Sequence, residues 1–160
     1  MKAKSIPILL VLSAALAFSQ AASAQGGGDV AVIVNPNNPV INMSLSDLRK
    51  IFAGEKRTWP GGTPVKLFVR GPGSHERTVL LRLLEMSESE YKRYWTTQVF
   101  RGEADAEPLA VPSFGMAKEA ASTFPGAITL VEAQEVKSGM YVKMIKVDGR
   151  LPGEPGYPLH

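Results

Sequence analysis

The stretch Val65–Met86, VKLFVRGPGSHERTVLLRLLEM, decides how this chain folds. Val65–Val69 is a short apolar run that reads as a strand, and Arg70 follows at its end. Gly71-Pro72-Gly73 is a turn signal. Ser74 then opens a helix whose apolar stripe is Val79, Leu80, Leu83 and Leu84. Two readings of this junction stand side by side. In the first, Arg70, Gly73 and Ser74 grip an oxyanion. A helix start offers unpaired backbone N–H groups and a favourable dipole. Gly73 lets the backbone approach closely, Ser74 donates its hydroxyl, and Arg70 offers a bidentate, charge-assisted pair. In the second, Ser74 is only an N-cap, the glycines only make a turn, and Arg70 pairs with a surface carboxylate. Glu76 is a normal first-turn residue, where a carboxylate fills the role that a bound anion would fill. His75 adds a donor when protonated, or is simply an exposed helix-start residue.

Upstream, Asp29–Asn35 (DVAVIVN) is nearly all apolar and β-rich, and reads as a strand buried on both faces. Ser44, with Asp47 three residues on, opens a helix carrying Leu45, Leu48, Ile51 and Phe52, and Gly54 stops it. Downstream, Ser87 and Glu90 form a capping box for a third helix. Its apolar side is Tyr91, Tyr94, Trp95 and Val99, which are expected in the core. Arg101–Pro112 reads as a loop, Ser113 caps a fourth helix ending near Phe124, and Pro125-Gly126 stops it. Ala127–Val131 and Met140–Val147 read as strands, the second one bent. The Pro- and Gly-rich tail after Asp148-Gly149 has no regular pattern, and His160 is expected to be disordered. Strands alternating with helices predict a three-layer α/β/α domain on a mixed sheet. In such sheets ligands sit at the carboxyl ends of strands beside helix amino termini, which is where Arg70–Ser74 falls.

The first 24 residues read as a secretory signal peptide. Lys2 and Lys4 precede a mostly apolar run from Ile6 to Phe18, and Ala22-Ser23-Ala24 has the small-x-small pattern of a cleavage site. Cleavage after Ala24 leaves a flexible Gly-rich lead-in, residues 25–28, and one domain over residues 29–160. Its destination is the periplasm, with no stable membrane insertion after cleavage, since no second apolar segment is long enough to span a bilayer. There is no cysteine, so the fold rests on packing alone. The formal net charge is +3, of which Lys2 and Lys4 supply two, so the remainder is nearly neutral and nothing in the charge points to nucleic acid. The pair His75-Glu76 lacks the second histidine of a zinc-protease motif, and no metal or cofactor is expected. An enzyme is not expected either, because no nucleophile–base pair is evident and adjacent Ser74 and His75 do not face each other on a helix start.

Several segments together resemble the periplasmic phosphate-binding protein family of the ABC phosphate transporter, in the type 2 periplasmic binding protein-like superfamily. They are VAVIVNP, MSLSDLRKIFAGEKRTWPGG, FVRGPGSHERTVLLRLL, YWTTQVFRG, FPGAITLVEA and KVDGRLPGEPGYPL. The spacing of Ile51, Phe52, Gly54 and Trp59, followed by Arg70, Gly73 and Ser74, carries most of the match. The resemblance implies one lobe of a two-lobed fold, binding phosphate or a related oxyanion through Arg70, Gly73 and Ser74 with His75 nearby. It also implies an ABC permease or another periplasmic protein as partner. His75 and Glu76 depart from the family, standing where it has Gly and Thr. Glu76 is therefore expected to repel phosphate unless protonated or turned away. One lobe does not close over a ligand by a hinge, and dimerisation is one way to rebuild a cleft. The alternative function is a periplasmic partner-binding or structural module that keeps the fold without high-affinity ligand binding, and exposed aromatic groups around Trp59 and Trp95 would favour it.

Overall fold

The computed structural model describes residues 27–160. The expected signal peptide and its expected cleavage site lie outside the described residues. Of the lead-in, Gly27 and Gly28 are described; both are exposed and neither belongs to a strand or helix. The elements run β1 (Val30–Val34), β2 (Asn42–Met43), α1 (Leu45–Phe52), β3 (Lys66–Arg70), α2 (His75–Leu84) and α3 (Glu88–Phe100). Then follow β4 (Leu109–Val111), α4 (Phe114–Thr123), β5 (Ala127–Glu132), a 3-10 turn at Ala133–Glu135, and β6 (Lys143–Val147). Among the described residues no helix is long and apolar enough to cross a membrane.

The six strands form one sheet in the order β2-β6-β1-β5-β3-β4. β1 is antiparallel to both its neighbours, β5 and β6, while β3 is parallel to β4 and β5, and β2 is parallel to β6. Five strands therefore point one way and β1 the other. β1 is fully buried, and its alternation divides the core. Val30, Val32 and Val34 face α1, α2 and α3 with Leu48, Ile51, Phe52, Val79, Leu80, Leu83 and Trp95. Ala31 and Ile33 face α4 with Ala117, Ala120 and Ala121. The small alanines on α4 bring that helix close to the sheet. The result is the three-layer α/β/α arrangement on a mixed sheet that the alternation of elements predicts.

The helix starts form as their sequences dictate. Ser44, Ser74, Ser87 and Ser113 each cap a helix, their hydroxyl oxygens accepting from the backbone N–H three residues on. At Ser87 the capping box is complete, with Glu90 accepting from the Ser87 N–H. Two short strands were not foreseen. β4 lies inside the expected loop Arg101–Pro112, and β2 lies just before α1; at three and two residues they exist only through pairing with distant strands. The last strand starts at Lys143, and Met140–Val142 before it is irregular.

Two expectations about side chains need correction, those for Val99 and for the tail, and the condition set on the tryptophans is not met. Val99 is 38% exposed and Phe100 beside it 90% exposed, so the apolar side of α3 ends at Trp95. Trp59 and Trp95 are each 3% exposed, which removes the exposed-aromatic argument for a partner surface. Trp59 Nε1 donates to the Gly126 carbonyl at 2.9 Å, tying the loop after α1 to the start of β5. The tail is irregular but not loose. Tyr157 and Leu159 are buried in the larger core, Tyr157 donates its hydroxyl to the Val30 carbonyl at 2.7 Å, and Val30 N–H donates to the Leu159 carbonyl at 2.9 Å. Burial, with a smaller effect from Asp29, raises the Tyr157 pKa and keeps that phenol protonated. His160 is held as well: Arg82 donates to its carbonyl, and its Nδ1 lies 3.2 Å from the Tyr157 carbonyl.

Candidate functional site

The carboxyl ends of β3, β4 and β5 lie side by side at one edge of the sheet. Their last residues are Arg70, Val111 and Glu132. β1 runs the opposite way, so its first residue, Val30, pairs with Glu132 at the same edge. The amino termini of α2 and α4 open there too, directly after β3 and β4. Parallel pairing of β3 with its neighbours thus delivers a strand-end arginine, two helix starts and a strand-end carboxylate to one place.

Within the loop, Gly73 has φ +89°, a conformation that suits glycine, and a Cβ there would meet no other atom within 4 Å. Ser74 sits in extended backbone geometry at the N-cap of α2. Its hydroxyl accepts from Arg77 N–H at 3.1 Å and donates to the Gly71 carbonyl at 2.9 Å. Arg70 turns back over the helix start. Its Nη1 donates to Glu76 Oε1 at 3.1 Å and its Nη2 to the Pro112 carbonyl at 3.3 Å. The Arg70 side chain is 15% exposed and that of Glu76 only 4%. Arg70 therefore has a carboxylate partner, but a buried one and not the surface partner considered above. Arg70 Nε is also buried and has no acceptor among the described residues.

His75 is partly buried, with Nδ1 2.9 Å from Glu132 Oε1, while Glu132 Oε2 is buried without a partner among the described residues. Gly27 packs on the His75 ring so closely that a Cβ there would lie 2.2 Å from Nδ1. The Ser74 hydroxyl points to Gly71 and His75 to Glu132, so these two neighbours are not joined as nucleophile and base. The structure brings Arg70, Gly73, Ser74 and His75 to one edge, together with Glu76, Glu132 and the Pro112 carbonyl. Glu132 was missed because the apolar run Ala127–Val131 was read as the whole strand. Its only signal was a charged residue ending that run. Among the described residues no group of three or more His, Asp or Glu side chains is placed to hold a metal.

One turn along α2, Arg77 makes a two-pronged ion pair with Glu88, Nε to Oε2 at 3.0 Å and Nη2 to Oε1 at 2.7 Å. Its guanidinium also lies 3.9 Å from the centre of the Tyr91 ring. The hydrogen bond from Arg77 is the main influence holding the Glu88 carboxyl below its ordinary range. Burial pushes the Tyr91 phenol up. This pair locks α2 to the start of α3 and so steadies the helix that presents Ser74 and Glu76.

No curated protein matches this sequence. The fold, however, is shared with several solved structures. One is a Clostridium perfringens protein described as a phosphate ABC transporter substrate-binding protein, solved with phosphate bound. It is 22% identical with a TM-score of 0.60, over 76% of this chain and 46% of its own. An ABC-type phosphate transport receptor from Vibrio cholerae is 21% identical with a TM-score of 0.62, over 78% and 48%. PstS from Borrelia burgdorferi is 17% identical with a TM-score of 0.60, over 78% and 49%. The chain thus spans about half the length of these proteins. At such identities the likeness is one of fold. A family model described as the PBP superfamily domain matches residues 15–149, and the chain belongs to that family.

Proposed function

We propose that this chain is an exported, solute-binding-type domain that engages phosphate or a related oxyanion at the carboxyl edge of its sheet, through Arg70, Gly73, Ser74 and His75. The supporting observation is the convergence of the Arg70 guanidinium with the amino terminus of α2. Arg70 supplies the charge and directional donors, and the first-turn amides of α2 supply a neutral cradle. Gly73 leaves the loop open on its outer side. The Ser74 hydroxyl turns from the Gly71 carbonyl to the ligand, and His75 adds charge when protonated. In this reading residues 1–24 direct export and are cleaved after Ala24, the domain works in the periplasm, and an ABC permease or another periplasmic protein is the partner. The role is one of binding and not of catalysis.

Phosphate titration of the protein from residue 25 onward, followed by amide NMR with sulfate as control, tests this. Saturable shifts centred on Gly73, Ser74 and His75, with affinity around the millimolar range, are expected. Arg70→Lys, which keeps a positive charge near Glu76 but loses the planar fork, should weaken them. Shifts scattered over the surface, or none at the loop, would overturn the assignment. A second reading is favoured by one observation: Arg70, Ser74 and His75 each already have a partner inside the chain. That reading is a periplasmic partner-binding or structural module, and silence of the loop towards both anions would support it.

A further inference from the structure

We infer that Glu76 is the resident anion of this edge, a built-in counter-ion that occupies the Arg70 guanidinium and that an incoming oxyanion has to displace. The inference rests on the oxyanion reading and concerns how that same site is regulated. Glu76 is a charged side chain almost fully withdrawn from water, 4% exposed, with Arg70 as its ion-pair partner. A buried carboxylate needs such a partner, and it also gains from the positive end of α2, since Glu76 is the second residue of that helix. It thus draws on the two stabilising influences that a bound phosphate would use, the arginine and the helix start. An external anion placed beside it meets like charge at close range, and Glu132 adds a second carboxylate to the same edge.

The fit of Glu76 to the guanidinium is incomplete. Only Nη1 reaches the carboxylate, Nη2 goes to the Pro112 carbonyl, and Nε is buried with nothing among the described residues to accept its hydrogen. A tetrahedral oxyanion in place of the Glu76 carboxylate can take Nε and an Nη together, the paired geometry in which arginine binds most strongly. The contact is therefore autoinhibitory: it satisfies the arginine enough to keep the domain folded without ligand, and leaves one donor that a better acceptor can use.

The test is a phosphate titration of wild type, Glu76→Gln and Glu76→Thr, each first shown to be folded by its thermal transition. Both variants should bind phosphate at least about tenfold more tightly than wild type. Gly73 and Ser74 should report the binding. In the wild type, the Glu76 carboxyl carbon signal should move as phosphate shifts these amides. Variants that bind no more tightly, with the wild-type loop still responding, would overturn the counter-ion and leave the oxyanion reading standing. A Glu76 signal that stays still while the loop amides shift would do the same, and needs no variant. Loop amides silent in wild type and variants alike would overturn both.

Discussion

Removing one member of the Arg70–Glu76 pair should be far more costly than removing both. Arg70→Met leaves the Glu76 carboxylate 4% exposed in its present position and without its ion-pair partner. Leaving a buried charge uncompensated costs about 3–5 kcal/mol. Glu76→Gln is milder. The amide keeps the shape, and Arg70, 15% exposed, keeps its bond to the Pro112 carbonyl, so the cost should be about 1–3 kcal/mol. The double variant Arg70→Met/Glu76→Leu replaces the pair by apolar groups of similar volume, which is often near neutral. With Glu76→Leu as the second single variant, at least as costly as Glu76→Gln, a coupling energy of about 4 kcal/mol or more is therefore expected across the cycle. Urea unfolding followed by circular dichroism measures it, with the slope in denaturant checked for constancy. Two outcomes would refute the reasoning. One is an Arg70→Met variant within about 1 kcal/mol of wild type, the cost of an exposed pair. The other is a double variant no more stable than Arg70→Met alone.

Two further outcomes follow from other parts of the fold. Gly126 has φ +82°, and a Cβ there would sit 1.9 Å from the Pro64 carbonyl oxygen, whereas Gly61 has φ +95° with open space around it. Gly126→Ala should cost about 3 kcal/mol or more, from strain and backbone clash together, and Gly61→Ala only about 1 kcal/mol; thermal melts of the two variants separate these cases. The Glu88 carboxyl is held below its ordinary value of 4.5, chiefly by the hydrogen bond from Arg77. Its stabilising contribution is therefore present above the ordinary carboxylate range and is lost as pH falls through the lowered folded-state value. Stability measured from pH 6 down to pH 3 should fall less steeply in Glu88→Gln than in wild type, and parallel curves would contradict this.

The sequence revealed most where the determinants are local. Four serines followed by apolar stripes marked four helix starts, and the apolar run Val30–Val34 marked the central strand. The convergence of Arg70 with the start of α2 was legible for the same reason, since strand, turn and helix are consecutive. What was not legible depends on chain segments far apart. β2 and β4 are too short to carry a pattern of their own and are defined by β6 and β3. Tyr157 and Leu159 sit in a Pro- and Gly-rich tail, so their burial depends on where that tail is anchored. Glu76 posed a different problem. Its place in the first turn was plain, but its choice between solvent and Arg70 depended on how sharply the Gly71–Gly73 turn folds the arginine back.

The opposed direction of β1 has a consequence for the order of assembly. The first strand of the domain lies in the middle of the sheet, and its neighbours on both sides, β5 and β6, come from the last third of the chain. The Val30 carbonyl waits for a hydroxyl 127 residues later. A polypeptide emerging amino end first can form α1, α2 and α3 early, but its central strand stays unpaired until almost the whole chain is present. Closing so long a loop is entropically slow, and such topologies fold late. If export carries the chain across the membrane unfolded, this delay keeps it in a competent state.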